Sequence, residues 1–341
     1  MYLSPSSVVL LALVTISAAH AGPSQWHETA RFRLGGSGGW DLMTVDADAR
    51  RLYVTRGDRV MVVDIDRGTL VGDVPGLQKA HGVAIVPAHH RGYASSGGED
   101  RVVVFDLDNL EILARIPVDH NPDAVVYDTS SDRVLAFNAG SNSVTIIDPA
   151  SDRRVATIPL PGKPELAVSN GKGGVFVNLE DVAKLARLDV RAAKVTSVWP
   201  LEGCEDPSGI ALDRRHERLF SVCQNQLMVV TDARNGQHVA SVPIGSGPDG
   251  AAFDPDSNEA FSSNSDGTLT IVHEKDPNHF MVAQSLPTPV RSRCIAFDVK
   301  THHAILATAE FGSTPPKSTS NPRPRPLMVP DSFELLSIGQ Q

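Results

Sequence analysis

Seven dipeptides stand at matching points along this chain: Trp40-Asp41, His81-Gly82, Pro122-Asp123, Pro164-Glu165, Pro207-Ser208, Pro248-Asp249 and Ser292-Arg293. Four carry a carboxylate in second place, Asp41, Asp123, Glu165 and Asp249, and His81 is the single imidazole of the series. A second series further along each unit supplies Arg56, Asn138, Asn178, Glu180, Asn264 and Glu310. Carboxylates, an imidazole and amide oxygens drawn together suit a divalent cation or a polar ligand. The candidate ligand-binding set is therefore Asp41, His81, Asp123, Asn138, Glu165, Asn264 and Glu310, with Asp41, His81, Asp123 and Glu165 as candidate metal ligands. Singly, an Asp after Pro or in a turn more often caps its own backbone. Only convergence makes these residues a site. Carboxylates about 4 Å apart repel by roughly 1 kcal/mol per pair even in a water-like dielectric. The set thus requires a cation, a basic ligand group, or the chain's own Arg56, Arg291 and Arg293.

Convergence depends on the elements that carry these residues, and those elements repeat. Asp46, Pro87, Asp128, Asn170, Asp213, Asp254 and Asp298 each close the same phrase, 41 to 44 residues apart. A second landmark runs Asp64, Asp106, Asp148, Asp189, Thr231 and His273, at steps of 41 or 42. The third copy is the clearest, with four short phrases at 122–128, 134–138, 144–148 and 154–159. Each is rich in Val, Ile, Phe, Ala or Thr and bounded by turn residues, the pattern of a strand. Four strands at such a period predict the blades of a propeller. One four-stranded sheet cannot bury both faces alone, so blades must stack, and seven in a ring leave only short edges. The expected fold is all-β, a seven-bladed β-propeller of four-stranded blades. The seven dipeptides open the first strands and so crowd the mouth of the central channel.

Blade seven shows only three phrases, at 294–298, 304–309 and 332–338, before Gln341. The orphan phrase at 28–35 reads like the fourth strands at 111–117 and 154–159. The N-terminal strand is expected to complete blade seven, close the ring and remove an exposed edge. Between the second and third strands of that blade lies an insertion, 312–330, rich in Pro, Ser and Thr. Such a segment is extended rather than helical. It reads equally as a recognition strap offering Arg323 and Arg325 to an anion, or as a tolerated surface insertion.

The chain has 341 residues, and one propeller domain at 27–341 accounts for nearly all of them. Residues 1–21 read as a signal peptide: an apolar run at 8–16 precedes Ala19-His20-Ala21, although no Lys or Arg comes before the run. The run is shorter than the roughly 20 residues a membrane span needs, so no transmembrane segment is expected in the mature chain. A periplasmic or secreted protein follows. The formal net charge of −9 disfavours broad nucleic-acid binding, which requires a basic face. No Cys-x-x-Cys-His occurs, which excludes covalent c-type haem. Cys204 precedes the first strand of blade five and Cys223 ends the second, at one face of the ring. In an oxidising compartment they pair as a disulfide; otherwise they are two buried thiols. Cys294 reads as a small packed residue. His89-His90 and His302-His303 fall in turns on the opposite face and read as solvated turn residues. No nucleophile elbow, zinc-protease helix motif, phosphate loop or dinucleotide fingerprint occurs.

At Leu52-Tyr53-Val54-Thr55-Arg56, and more fully at 135–148, the chain resembles the YVTN-type β-propeller repeat family, the YncE-like exported propellers. The returning segments Ile158-Pro159-Leu160-Pro161-Gly162-Lys163-Pro164 and Val242-Pro243-Ile244-Gly245-Ser246-Gly247-Pro248 resemble that repeat too. The chain departs from it at Arg56, where the family favours Asn, and at 178–182, where Asn-Leu-Glu-Asp-Val replaces the Gly/Ser/Asn turn. The resemblance implies an exported seven-bladed propeller, but no one reaction. Relatives are associated with surface, binding and scaffold roles, and a wider circle of seven-bladed enzymes includes lactonases. The leading expectation is a non-catalytic exported propeller binding a small ligand, metal ion or partner protein at the channel mouth. The alternatives are a metal-assisted hydrolase or lactonase with His81 as base, and an extracytoplasmic scaffold.

Overall fold

The computed structural model describes residues 25–316 and 326–340. The expected signal peptide and the centre of the insertion, with Arg323 and Arg325, lie outside the described residues. Seven antiparallel four-stranded sheets surround one axis. Their inner strands are Met43–Asp46, Val83–Val86, Pro122–Asp128, Pro164–Ser169, Pro207–Asp213, Pro248–Asp254 and Ile295–Asp298, each packed against the next and the last against the first. Among the described residues the only helical turns are short 3-10 segments, and no helix is long and apolar enough to cross a membrane. One of those segments, Glu180–Val182, occupies the departure from the repeat seen at 178–182.

Burial explains the strand composition. The second strand of blade three, Arg133–Asn138, is covered on both faces, so its residues form a continuous buried run after Arg133. The outer strands face solvent on one side; Lys194–Pro200 alternates exposed and half-buried positions along its whole length. The core lies between blades. Leu135, Phe137 and Ile146 of blade three interlock with Val175, Val177 and Leu188 of blade four.

Ring closure follows the expected scheme. In blade seven Ile295–Asp298, His303–Thr308 and Glu334–Gln340 are completed by Trp26–Arg33, with Trp26 opposite Gln340 and Arg33 opposite Glu334. The closing strand also grips blade six. The Trp26 indole N–H donates to Glu259 Oε2 at 2.6 Å, and the ring meets Phe261 edge-on at 4.8 Å. The Trp26 backbone N–H and C=O both bond to the Gln284 side chain.

One landmark is displaced. Arg218 at the start of a second strand pairs with Asp232, as Glu259 pairs with His273 in the next blade. The blade-five counterpart of His273 is therefore Asp232, not Thr231.

Candidate functional site

The loops entering the inner strands are tied together by main-chain bonds between neighbouring blades. The His81 carbonyl accepts from the Leu42 N–H at 3.0 Å and the Thr55 hydroxyl at 2.8 Å. Ser95 Oγ accepts from the N–H groups of His81 and Gly82. Gly82 is required by space: a Cβ there would stand 2.8 Å from the Asp123 carbonyl oxygen. Blade two thus approaches blade three closely enough for their side chains to meet at the axis.

Asp41, His81 and Asp123 do meet. His81 Nδ1 lies 2.7 Å from Asp41 Oδ2 and 4.0 Å from Asp123 Oδ1. Donor atoms of all three fall within 4.8 Å of one another, as do those of Asp41, Asp249 and Cys294. Two basic side chains join the group. Arg293 Nε is 3.3 Å from Asp249 Oδ2, and Lys163 Nζ bonds Glu180 and lies 3.9 Å from Glu165 Oε2. Along the inner strands lies a cavity of about 190 Å³ lined by the backbone and side chains of residues that include Leu42, Val83, Ala124, Leu166, Ile210 and Asp249. Beside the mouth a cavity of about 900 Å³ opens, lined by Trp40, Arg291, Arg293, Phe311, Leu327 and Met328.

Burial makes ionisation expensive for these groups. Burial, with Asp41 adding to it, pushes Asp123 up to about 6, although His81 pulls the other way. Burial likewise pushes Asp249 up to about 6 against the pull of Arg293. Glu165 is pushed up to about 8, first by burial and then by Asp123 and Glu180, with Lys163 only partly compensating. The hydrogen bond it donates to the Asp41 carboxylate raises the His81 imidazole above its ordinary value despite burial. The Cys294 thiol, fully buried beside Asp249 and Asp41, is held well above its usual range and stays neutral. Asp123, which favours a proton, stands with Asp41 beside the imidazole, where a cation can take that proton's place. An oxygen–nitrogen donor set of this kind suits borderline divalent ions such as Zn²⁺ or Mn²⁺.

Other members of the sequence-derived set lie elsewhere. Asn138 is fully buried in its own blade, its amide donating to Ser143 Oγ and Thr145 Oγ1 at 3.1 and 3.0 Å. Asn264 does the same with Thr268 and Thr270, and accepts from Ser262. Both end a second strand, which is flanked by strands on each side, so they tie their own hairpin rather than face the axis. Glu310 is exposed at the base of the insertion, its backbone bonded to Ser332 and Val329. Glu165 reaches the mouth but stands outside the Asp41–His81–Asp123 group, beside Lys163. Of the three arginines expected to neutralise the acids, only Arg293 does so. Arg56 is buried, bonds the carbonyls of Ser37, Gly38 and Gly39, and lies over the Phe333 ring at 3.9 Å. Arg291 lies over Phe311 at 5.1 Å.

Sequence reasoning left Asp249, Lys163 and Cys294 out of the set. Asp249 shares its repeat position with Asp41 and Asp123, a signal that was present. Lys163 had none, because only the fold shows that it reaches Glu165 and Glu180. The turn histidines are not simply solvated: His89 bonds Asp132 at 3.0 Å and His302 bonds Asp254 at 2.9 Å. Cys204 and Cys223 are joined, with sulfurs 2.05 Å apart, and Cys294 is a buried free thiol.

Fold and site define a seven-bladed β-propeller with an acidic axial mouth. No family model matches the chain, and no curated protein matches it. Among solved structures it is similar to a chain of Kuenenia stuttgartiensis hydrazine synthase, with a TM-score of 0.68 and 14% identity, covering 85% of this chain and 96% of that one. At that identity the likeness is one of fold alone.

Proposed function

We propose that this chain is an exported, non-catalytic binding propeller whose axial mouth takes a divalent cation through Asp41, His81 and Asp123. Asp249 and Glu165 add negative charge around the site. The observation that carries this reading is the approach of the three donor groups to within 4.8 Å, in a rim whose basic residues are already engaged by Asp249, Glu165 and Glu180. Export is supported by the leader-like composition of residues 1–21 and by the Cys204–Cys223 bond, since disulfides persist in oxidising compartments. Kinship with YVTN-type propellers is supported by where the motif falls. Its Leu52-to-Thr55 phrase is the second strand Arg51–Thr55, and 135–148 spans the hairpin of Arg133–Asn138 and Ser143–Asp148.

Metal-assisted hydrolysis is favoured by one observation, the cavity of about 900 Å³ that would admit an organic substrate beside the cation. Chelator-stripped protein titrated with Zn²⁺, Mn²⁺ and Ca²⁺, then tested against lactones and esters, separates the two. Cation binding that is weakened by His81→Ala with Asp123→Asn, without turnover, supports the binding propeller. Turnover abolished by chelator replaces it with the hydrolase, and absence of any cation binding overturns both.

A further inference from the structure

At the opposite end of the inner strands, two departures from the repeat meet across the boundary between blades five and six. The first is His216. In blades three, six and seven, the third residue after the Asp that ends the inner strand is a hydroxyl residue capping that Asp. Ser131 bonds Asp128 at 2.5 Å, Ser257 bonds Asp254 at 2.8 Å, and Thr301 bonds Asp298 at 2.6 Å. In blade five the place is taken by His216, whose Nδ1 lies 2.7 Å from Asp213 Oδ2.

The second departure is Glu274. Its N–H donates to the carbonyl just before the second strand of its blade, at Asn258. Ile65, Leu107, Val190 and Ala233 make the same main-chain bond in their own blades, and each packs its apolar side chain into an inter-blade cluster. Blade six therefore sends a carboxylate where the repeat sends an aliphatic group. Glu274 is 2% exposed, and Oε1 lies 2.8 Å from His216 Nδ1, but among the described residues neither carboxylate oxygen finds a partner aligned for a hydrogen bond. A buried charge in that condition is strongly disfavoured unless something pairs with it. Arg218, whose charge also acts on it, is already committed to Asp232 at 3.1 Å and to the Pro277 carbonyl.

We propose that Asp213, His216 and Glu274 form a second divalent-metal site, for a borderline ion such as Zn²⁺, that staples blade five to blade six. Donor atoms of the three residues lie within 4.8 Å of one another, and a single ring nitrogen faces both carboxylates. At most one proton on that nitrogen can serve one of the two oxygens, whereas a cation serves all three groups at once. His216 is 29% exposed in its side chain, which gives the ion a route in and leaves room for a water ligand.

This site is independent of the mouth, and the test keeps them apart. Full-length protein carrying His81→Ala and Asp123→Asn, stripped with chelator, is titrated with Zn²⁺ by calorimetry and its thermal midpoint is followed. The expected result is one Zn²⁺ per chain and a rise in midpoint. Adding Glu274→Gln, close to isosteric, should weaken binding at least 100-fold and remove the rise. Adding Glu274→Leu, which restores the aliphatic residue of the repeat, should remove binding while leaving the midpoint no lower than that of the stripped parent. Failure of the parent to bind Zn²⁺, or unchanged binding after Glu274→Gln, overturns the proposal.

Discussion

The two donor clusters sit at opposite ends of the same inner strands and are built in opposite ways. At the mouth, Asp41, Asp123, Glu165 and Asp249 occupy one repeat position in different blades, and the ring brings them together. They are half-buried, and Arg293 and Lys163 offset them in part. At the other end, His216 and Glu274 are exceptions to the repeat, and Glu274 is buried with the His216 imidazole beside it. A site made by the repeat is open, titrates, and suits ligand binding. A site made by exceptions lies within one seam and bears on its stability.

That contrast can be broken most severely at ring closure. Deleting residues 26–33 removes the outer strand of blade seven together with the Trp26–Glu259 and Trp26–Gln284 bonds. Cooperative thermal unfolding and cation binding at both ends should be lost. An unchanged thermal midpoint would show that the ring does not depend on this strand.

The Cys204–Cys223 bond spans 19 residues at the mouth end of blade five, where both sulfurs pack against blade four. Replacing both with Ala should cost roughly 3 kcal/mol in denaturant unfolding, while cation affinity at the mouth stays the same. A matching loss of mouth affinity would mean that blade five shapes the mouth. Asn138→Ala sharpens the contrast further, because it removes two buried hydrogen bonds within one blade. A destabilisation of about 1–3 kcal/mol is expected, again with mouth binding unchanged. Loss of cation binding would return Asn138 to the site.

The pH profile tests the electrostatics. Asp123 and Asp249, at about 6, and Glu165, at about 8, are raised above their unfolded values, as is His81. Raised groups contribute stability that is complete below the unfolded pKa and lost as pH rises through the folded one. Metal-free protein should therefore become less stable between about pH 4 and 8, by an amount on the order of a few degrees in midpoint. A divalent cation, whose binding strengthens over the same range as protons leave, should flatten the profile. A metal-free midpoint that climbs from pH 5 to 8 would contradict these shifts.

The ring was legible from landmarks such as Asp128 and Asp254, because period and strand composition are local. The mouth was legible in part. Positions opening an inner strand point toward the axis wherever they occur, which is why Asp41, His81 and Asp123 meet. Asn138 and Asn264 misled because ending a strand near the mouth does not decide which way an amide turns, and the hydroxyls of the third strand claim both. Glu274 was hidden by a one-residue slip. With Thr231 as the blade-five landmark, the residue matched to Glu274 is an acid, Asp232; in the observed register it is Ala233. Only pairing fixes that register, and only then does the buried carboxylate stand out.

The central claim is that the mouth holds a divalent cation through Asp41, His81 and Asp123. Its most direct test is calorimetric titration of Zn²⁺ and Mn²⁺ into stripped protein carrying Glu274→Gln, compared with the same protein carrying Asp123→Asn and His81→Ala as well. One cation per chain in the first, with affinity at least 100-fold weaker in the second, is the predicted result. No binding in the first, or equal binding in both, would contradict it.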